Sequence, residues 1–266
     1  MNGLDCCVDE PTACHDAQEA FLDTCIECKI ASTRGEREAA FRLLYGAYQR
    51  AGLIRPNPRQ MRVTPYHLLP TTNVMVARYA NQIISTLSLV EDGELGLPME
   101  QIFADPIRER RQHGLLLAEV SCLADRRKDI RRYFSVFVRL CRLMIQCAKS
   151  RGIDQVLIAV HPRHVRFYTQ YLAFDQIADV RLYPAVQNHP AVALCLDLKR
   201  LEIDRPANYE RFFTVPIDAH DLQPQPMPVS EQSYFRQFLA DSGDRLGNSE
   251  SDRNQLVDSS HEAYVT

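Results

Sequence analysis

Between Leu115 and Val160 the chain reads as strand, long helix, strand, and few architectures accommodate that order. Across Asp129–Lys149, Tyr133, Phe137, Leu140, Met144 and Cys147 recur at helical spacing, and Phe134, Val138, Cys141 and Ile145 widen the stripe. A stripe this broad belongs to a helix that is largely buried. Gly152 is placed to end it. Before the helix runs Leu115–Leu123, apolar except for Glu119; after it runs Gln155–Val160, apolar throughout its centre. Strand–helix–strand units of this kind predict an α/β fold with a mixed sheet covered by helices.

The flanking segments extend the pattern. Thr33-x-x-Glu36 is a capping box, followed by Ala40, Phe41, Leu44, Tyr45 and Tyr48 at helical spacing, with Gly52 as the stop. Residues 52–72 lack helical period and hold Pro56, Pro58, Pro65 and Pro70. A loop this long is uncommon in a compact domain and is often functional. Asn73–Arg78 and Gln82–Val90 read as a hairpin turning at Ala80-Asn81. A charged helix is expected over Pro98–Arg111, a shorter one over Pro162–Tyr171, and strands near Gln176–Tyr183 and Val192–Leu198. The resulting division is an acidic, Cys-rich arm (1–30), an α/β domain (31–202) and an acidic, largely disordered tail (203–266). Within the tail, Glu231–Leu239 is a short helix candidate that docks back on the domain.

The net charge of −3 conceals a basic centre. Residues 1–30 carry seven acids against one Lys, and residues 203–266 carry eleven acids against five Arg. The middle of the chain is therefore strongly positive and favours an anionic partner. No helix-turn-helix, RNA-platform or zinc-finger pattern is present, so nucleic acid is not the expected partner. No apolar run reaches the roughly 18 residues of a membrane span. With no visible signal peptide either, a cytoplasmic protein is expected. Five of the nine Cys lie in the first 28 residues. Cys25-x-x-Cys28 has ligand spacing but lacks a well-spaced second pair, so free thiols rather than a metal site are expected.

Specific motifs carry a resemblance. They are Val63-Thr64-Pro65-Tyr66, Ser85–Val90, Gly96-Leu97-Pro98, Ala118–Ala124, Pro162-Arg163-His164 running into Phe167-Tyr168, Leu172-Ala173-Phe174, and Asn188–Val192. In number, order and spacing, over about residues 36–200, the chain resembles bacterial long-chain N-acyl amino acid synthases, within the GNAT-type acyltransferases. The resemblance implies a GNAT-type sheet flanked by helices. It further implies transfer of a long acyl chain from the phosphopantetheine of acyl carrier protein to the α-amino group of an amino acid, with no tightly bound cofactor. The enzymatic alternative is another acyl- or acetyltransferase, and the related acyl-homoserine lactone synthases above all. They follow the strand Glu with x-Ser/Thr-Arg, and here Cys122 stands where that Arg would be. A module that binds carrier protein or lipid without turnover is the non-enzymatic alternative.

The resemblance and the residue chemistry together single out the candidate site. GNAT enzymes that use acetyl-CoA hold its pyrophosphate on a Gly-rich loop after the central strand. Here that loop, Asp125–Asp129, has no Gly. It and the following helix instead present Arg126, Arg127, Lys128, Arg131 and Arg132, a complement to an acidic carrier protein; Arg108, Arg110 and Arg111 are candidates to extend the patch. Glu119, a carboxyl in an apolar strand, is the candidate general base. The resemblance implies Tyr168, at the position where GNAT-type enzymes often hold a Tyr, as the candidate acid for the departing thiolate. The resemblance implies Arg42 on the first helix as a candidate for the acceptor's carboxylate, and Tyr66 and His67 in the Pro-rich loop are candidates for closing over it. Ser121, His161 and His164 complete the candidate substrate-binding set. Leu115, Leu117, Phe134, Phe137 and Val138 are candidates to line an acyl channel. Strand alternation predicts that Glu119 and Cys122 point apart.

Overall fold

A computed structural model describes residues 25–126, 130–207, 209–210 and 215–239. Of residues 130–133 the side chains are not described. The strands are β1 (Glu27–Ile30), β2 (Thr72–Tyr79), β3 (Gln82–Glu91), β4 (Leu117–Asp125), β5 (Gln155–Val160), β6 (Asp175–Gln176), β7 (Arg181–Tyr183) and β8 (His189–Asp197). The helices are α1 (Arg34–Arg50), α2 (Glu100–Gln112), α3 (Ile130–Ser150), α4 (Val165–Tyr171), α5 (Leu198–Asp204) and α6 (Val229–Arg236).

The strands form one mixed sheet in the order β1-β2-β3-β4-β5-β8-β6, with β7 also against β8. All described pairings are antiparallel except β4–β5, the pair joined by the α3 crossover. A parallel pair requires such a crossover, and the broad apolar stripe of α3 supplies its packing face. Val136, Leu140, Leu143 and Met144 meet Met75, Leu87, Leu89, Ala118, Val156 and Leu194 on one face of the sheet. Tyr168 of α4 and Leu172 just after it join that layer. The opposite face carries α1, through Ala40 and Phe41 on Val74 and Val76, and α2, through Phe103 and Ile107 on Leu117 and Leu157.

Local signals decide the ends of elements. Thr33 Oγ1 accepts from the Glu36 N–H at 3.3 Å while Glu36 returns the bond to the Thr33 N–H at 3.2 Å, which completes the capping box of α1. The hairpin turns where Ala80 and Asn81 take φ of 46° and 65°, the doubly left-handed turn that matches strand twist. Ala173, just past the C-cap of α4, also has a left-handed φ of 57°. Glycine carries no Cβ penalty in that region. Ala173→Gly is therefore expected to stabilise the fold by about 1 kcal/mol, measured as a rise in the denaturation midpoint.

Three expectations meet a different arrangement. The segment from Asp175 to Tyr183 forms two short pieces, not one strand. Ile177 N–H still reaches Ala193 O at 2.9 Å, and Ala178–Val180 then loop out before Arg181 pairs with Ala191. The folded unit also reaches beyond 31–202. Glu27–Ile30 pairs with Arg78–Met75 as the sheet's edge, and the region beyond 203 contributes α6. Phe235 on α6 is fully buried against Phe41, Met61 and Met227. Finally, Arg108, Arg110 and Arg111 sit on α2, across the sheet from α3, so they do not extend a patch at the start of α3. Arg111 is committed to Asp92 at 2.7 Å and Glu100 at 2.6 Å.

Candidate active site

The site is made by a parting of strands. β4 and β5 pair only at Leu117–Gln155, Ala118–Val156 and Glu119–Leu157. Beyond Glu119 they separate, and a cavity opens on each face of the gap. Val120, Ser121, Cys122, Ala159 and Val160 line both, as does Tyr48 from α1.

On the α3 and α4 side lies an apolar cavity of about 130 Å³, walled by Phe137, Cys141, Met144, Tyr168, Leu172 and Leu201. A cavity of roughly 150 Å³ suffices for benzene. An acyl chain much longer than six carbons therefore needs Met144 and Leu201 to move or must leave past Tyr171, a half-exposed wall residue. Burial pushes the Cys141 thiol well above its ordinary range, which keeps it in the unreactive thiol form.

On the α1 and α2 side lies a larger, more polar cavity of about 570 Å³. Glu119, only 2% exposed, stands in its wall. Its Oε2 accepts the Met99 N–H at 2.7 Å, at the N-terminus of α2. Burial raises the Glu119 carboxyl from 4.5 to about 8, against the smaller opposing pull of that hydrogen bond. The group is thus mostly protonated at neutral pH and becomes a strong base within reach of physiological conditions.

A β-bulge shapes the shared wall. Thr86 faces Ala124 and Ser88 faces Ser121, so Leu87 alone opposes both Cys122 and Leu123. Cys122 takes a left-handed φ of 58°, a strained conformation for a residue with a Cβ. Glu119 lines the polar cavity, and Ser121 and Cys122 line both. Cys122 thus lines the apolar cavity, which Glu119 does not, and it lies opposite Leu87 of the core under α3.

Of the candidate residues, Glu119, Ser121, Tyr66 and His161 gather at the polar cavity. His161 Nδ1 accepts the Arg163 N–H at 3.2 Å, which caps the short turn into α4. Tyr168 stands in the wall of the apolar cavity, against Phe167 and Phe174. His164 lies outside both linings and accepts from Arg163 Nε at 3.0 Å. His67 is buried beneath the loop. Its Nδ1 lies 3.0 Å from the Thr64 N and its Nε2 3.2 Å from Ser88 Oγ, with its ring 4.6 Å from that of Phe41. Desolvation, and then the charge of Arg62, lower it to about 3, so it stays neutral as a structural staple. Arg42 is held outside on Glu38, at 2.9 Å, and on Arg59 O. Among the channel candidates, Phe137 lines the apolar cavity, whereas Leu115 and Leu117 pack on the opposite face and Phe134 and Val138 behind the wall. Of the basic patch, Arg126 is described: exposed, its backbone on Ile84 O and its guanidinium on Gln82 Oε1. Arg127, Lys128 and the side chains of Arg131 and Arg132 lie outside the described residues.

Arg62, which sequence reasoning passed over, is 4% exposed and stands in the polar wall. The Pro-rich loop brings it there, stitched to α1 by Tyr45 Oη with the Asn57 N–H at 3.2 Å and by the Arg62 N–H on Phe41 O at 3.2 Å. Arg inside a long aperiodic segment between apolar residues, Met61 and Val63, was the available signal.

No group of three or more metal-ligating side chains occurs among the described residues, and no described helix is long and apolar enough to cross a membrane. The model of the family of the N-acyl amino acid synthase FeeM matches residues 39–197. The structure of FeeM, an N-acyl amino acid synthase from uncultured soil microbes, superimposes with a TM-score of 0.61 at 25% identity, over 70% of this chain and 97% of that one. The CoA-dependent acyl-homoserine lactone synthase BjaI, with SAM and isopentyl-CoA, shares the fold at a TM-score of 0.52 and 15% identity, over 80% of this chain and 98% of that one. No curated protein sequence matches. With its GNAT-like sheet, its parted central strands and a family match across most of the sheet, the chain belongs to the FeeM N-acyl amino acid synthase family of acyltransferases.

Proposed function

We propose that this acyltransferase moves a long-chain fatty acyl group from the phosphopantetheine thioester of acyl carrier protein to the α-amino group of an amino acid, in the cytoplasm. The observation that carries the reading is the placement of Glu119. A buried carboxyl with a raised pKa stands beside a gap that has an apolar cavity on one face and a polar one on the other.

The acyl chain occupies the apolar cavity, the acceptor the polar one, and the thioester the gap between them. Glu119 takes a proton from the acceptor's ammonium. The amine then forms the C–N bond, and backbone donors at the Cys122 bulge steady the tetrahedral oxyanion. Collapse breaks the C–S bond. Tyr168 protonates the leaving thiolate, and the second proton shed by the nitrogen restores the phenol. The proton on Glu119 is the one released overall.

Carrier protein is favoured over CoA as donor by the loop after β4. It leaves the strand at the end where β4 and β5 part, carries Arg126, Arg127 and Lys128, and contains no Gly. With purified protein, kcat/KM for acyl carrier protein is expected to exceed that for the matching acyl-CoA by at least about tenfold and to fall with added salt. Equal use of acyl-CoA overturns the donor assignment. Cys141→Phe, which fills the apolar cavity, is expected to shift the donor preference toward shorter chains by about tenfold or more. A chain-length series of acyl donors reads this directly.

A further inference from the structure

We propose that Arg62 binds the α-carboxylate of the acceptor and thereby selects amino acids over amines that lack one. This rests on the amino acid acceptor reading above and names the residue that enforces it.

Arg62 is a charged side chain more than nine-tenths buried, in the wall of the same polar cavity that holds Glu119. Its guanidinium is held in place: Nη2 donates to Ala185 O at 3.4 Å, and its Cζ lies 5.1 Å from the centre of the Tyr48 ring. Tyr48 itself lines both cavities. The backbone is pinned by the Arg62 N–H on Phe41 O, and the loop beneath by His67. A stacked, preorganised guanidinium presents a planar fork of donors that matches a carboxylate. The acidic groups on the same wall do not oppose an incoming anion. Glu119 is mostly protonated at neutral pH, and Glu100 is held by Arg111 at 2.6 Å. An α-amino acid offers carboxylate and amine on one carbon, so a carboxylate on Arg62 directs the amine along the wall toward Glu119. Arg42, turned outward onto Glu38, is not placed for this role.

The test compares each amino acid the wild type acylates with its decarboxylated amine, in the wild type, Arg62→Met and Arg62→Lys. A site built to bond a polar group rejects analogues lacking it by large factors, on the order of 10²–10⁴ in kcat/KM. The wild type is expected to show such a preference. Arg62→Met is expected to lose it to within about tenfold, chiefly through KM, while keeping turnover of the amine. Arg62→Lys is expected to retain part of it. Equal use of acid and amine by the wild type overturns the assignment, as does a preference surviving in Arg62→Met. If Arg62→Met does not fold, the wild-type ratio and Arg62→Lys decide: an unchanged ratio and unchanged KM in Arg62→Lys count against it. Ligand-observed NMR of amino acid and amine binding separates the two readings. Carboxylate-dependent binding without turnover removes acyl transfer and leaves Arg62 as the anion site; turnover without carboxylate dependence does the reverse.

Discussion

Glu119→Gln is expected to lower kcat by about 10²–10⁴-fold, the usual contribution of a positioned general base, while raising thermal stability at neutral pH. Gln is isosteric and can still accept the Met99 N–H, so the packing at the start of α2 survives. What is lost is the ability to take a proton. The stability gain follows from linkage. In the unfolded chain this carboxyl titrates near 4.5, and in the folded chain at about 8. Between those values the folded state holds a proton that the unfolded state has released. The stability associated with Glu119 is therefore fully present below about pH 4.5 and is lost progressively as pH rises toward about 8. Glu119→Gln removes that slope. The same ionisation makes the base competent, so kcat/KM of the wild type is expected to climb with pH to a midpoint near 8. Activity and stability then run in opposite directions over one pH window. Parallel pH series of turnover and thermal melting, in wild type and variant, check both.

Phe235→Ala is expected to destabilise the protein by about 3–5 kcal/mol. Phe235 is fully buried, edge-on to Phe41 at 5.1 Å and packed with Met61 and Met227. Around it, α6 is fastened by the Arg37–Glu231 ion pair at 2.7 Å, with Arg37 almost wholly enclosed. Arg37 Nη2 also donates to Gln225 O at 2.8 Å, and Tyr234 Oη to Glu38 at 3.1 Å. Breaking a buried pair from one side leaves a stranded charge, so Arg37→Met is the companion variant. The consequence reaches the site. Met61 and Val63 share this core and flank Arg62, and Thr64 to Tyr66 continue the cavity wall. The expected kinetic signature is a rise in acceptor KM that exceeds any change in donor KM. Chemical denaturation gives the first quantity and initial rates the second. An unchanged unfolding midpoint would contradict the packing described for α6.

The order of elements was legible in the sequence because it is written in local signals. The capping box at Thr33, the stripe of α3, the stops at Gly52 and Gly152 and the Ala80-Asn81 turn each act within a few residues. Glu119 was legible for a related reason: a carboxyl among Leu115, Leu117, Val120 and Leu123 has few places to go except inside. What stayed hidden depends on partners distant in sequence. The bulge at Cys122 arises from register against Leu87, a partner distant in sequence. Arg42 and Arg62 look alike as letters, and only the folding of the Pro-rich loop onto α1 turns one to solvent and encloses the other. His67 reads as a site residue from its loop, yet the loop closes over it against Ser88. The α6 hydrogen bonds to α1 join residues 194 to 196 positions apart, and an acidic, Pro- and Ser-rich segment hides an aromatic cluster of Tyr234, Phe235 and Phe238.

The most direct test is mass spectrometry of lipid extracts from a bacterial host that expresses the wild type or Glu119→Gln at equal levels of folded protein. N-acyl amino acids are expected with the wild type and nearly absent with the variant, and their masses identify the acceptor and the chain length. Extracts that contain no new acylated species with either protein, or the same species with both, would contradict acyl transfer by a Glu119-dependent mechanism.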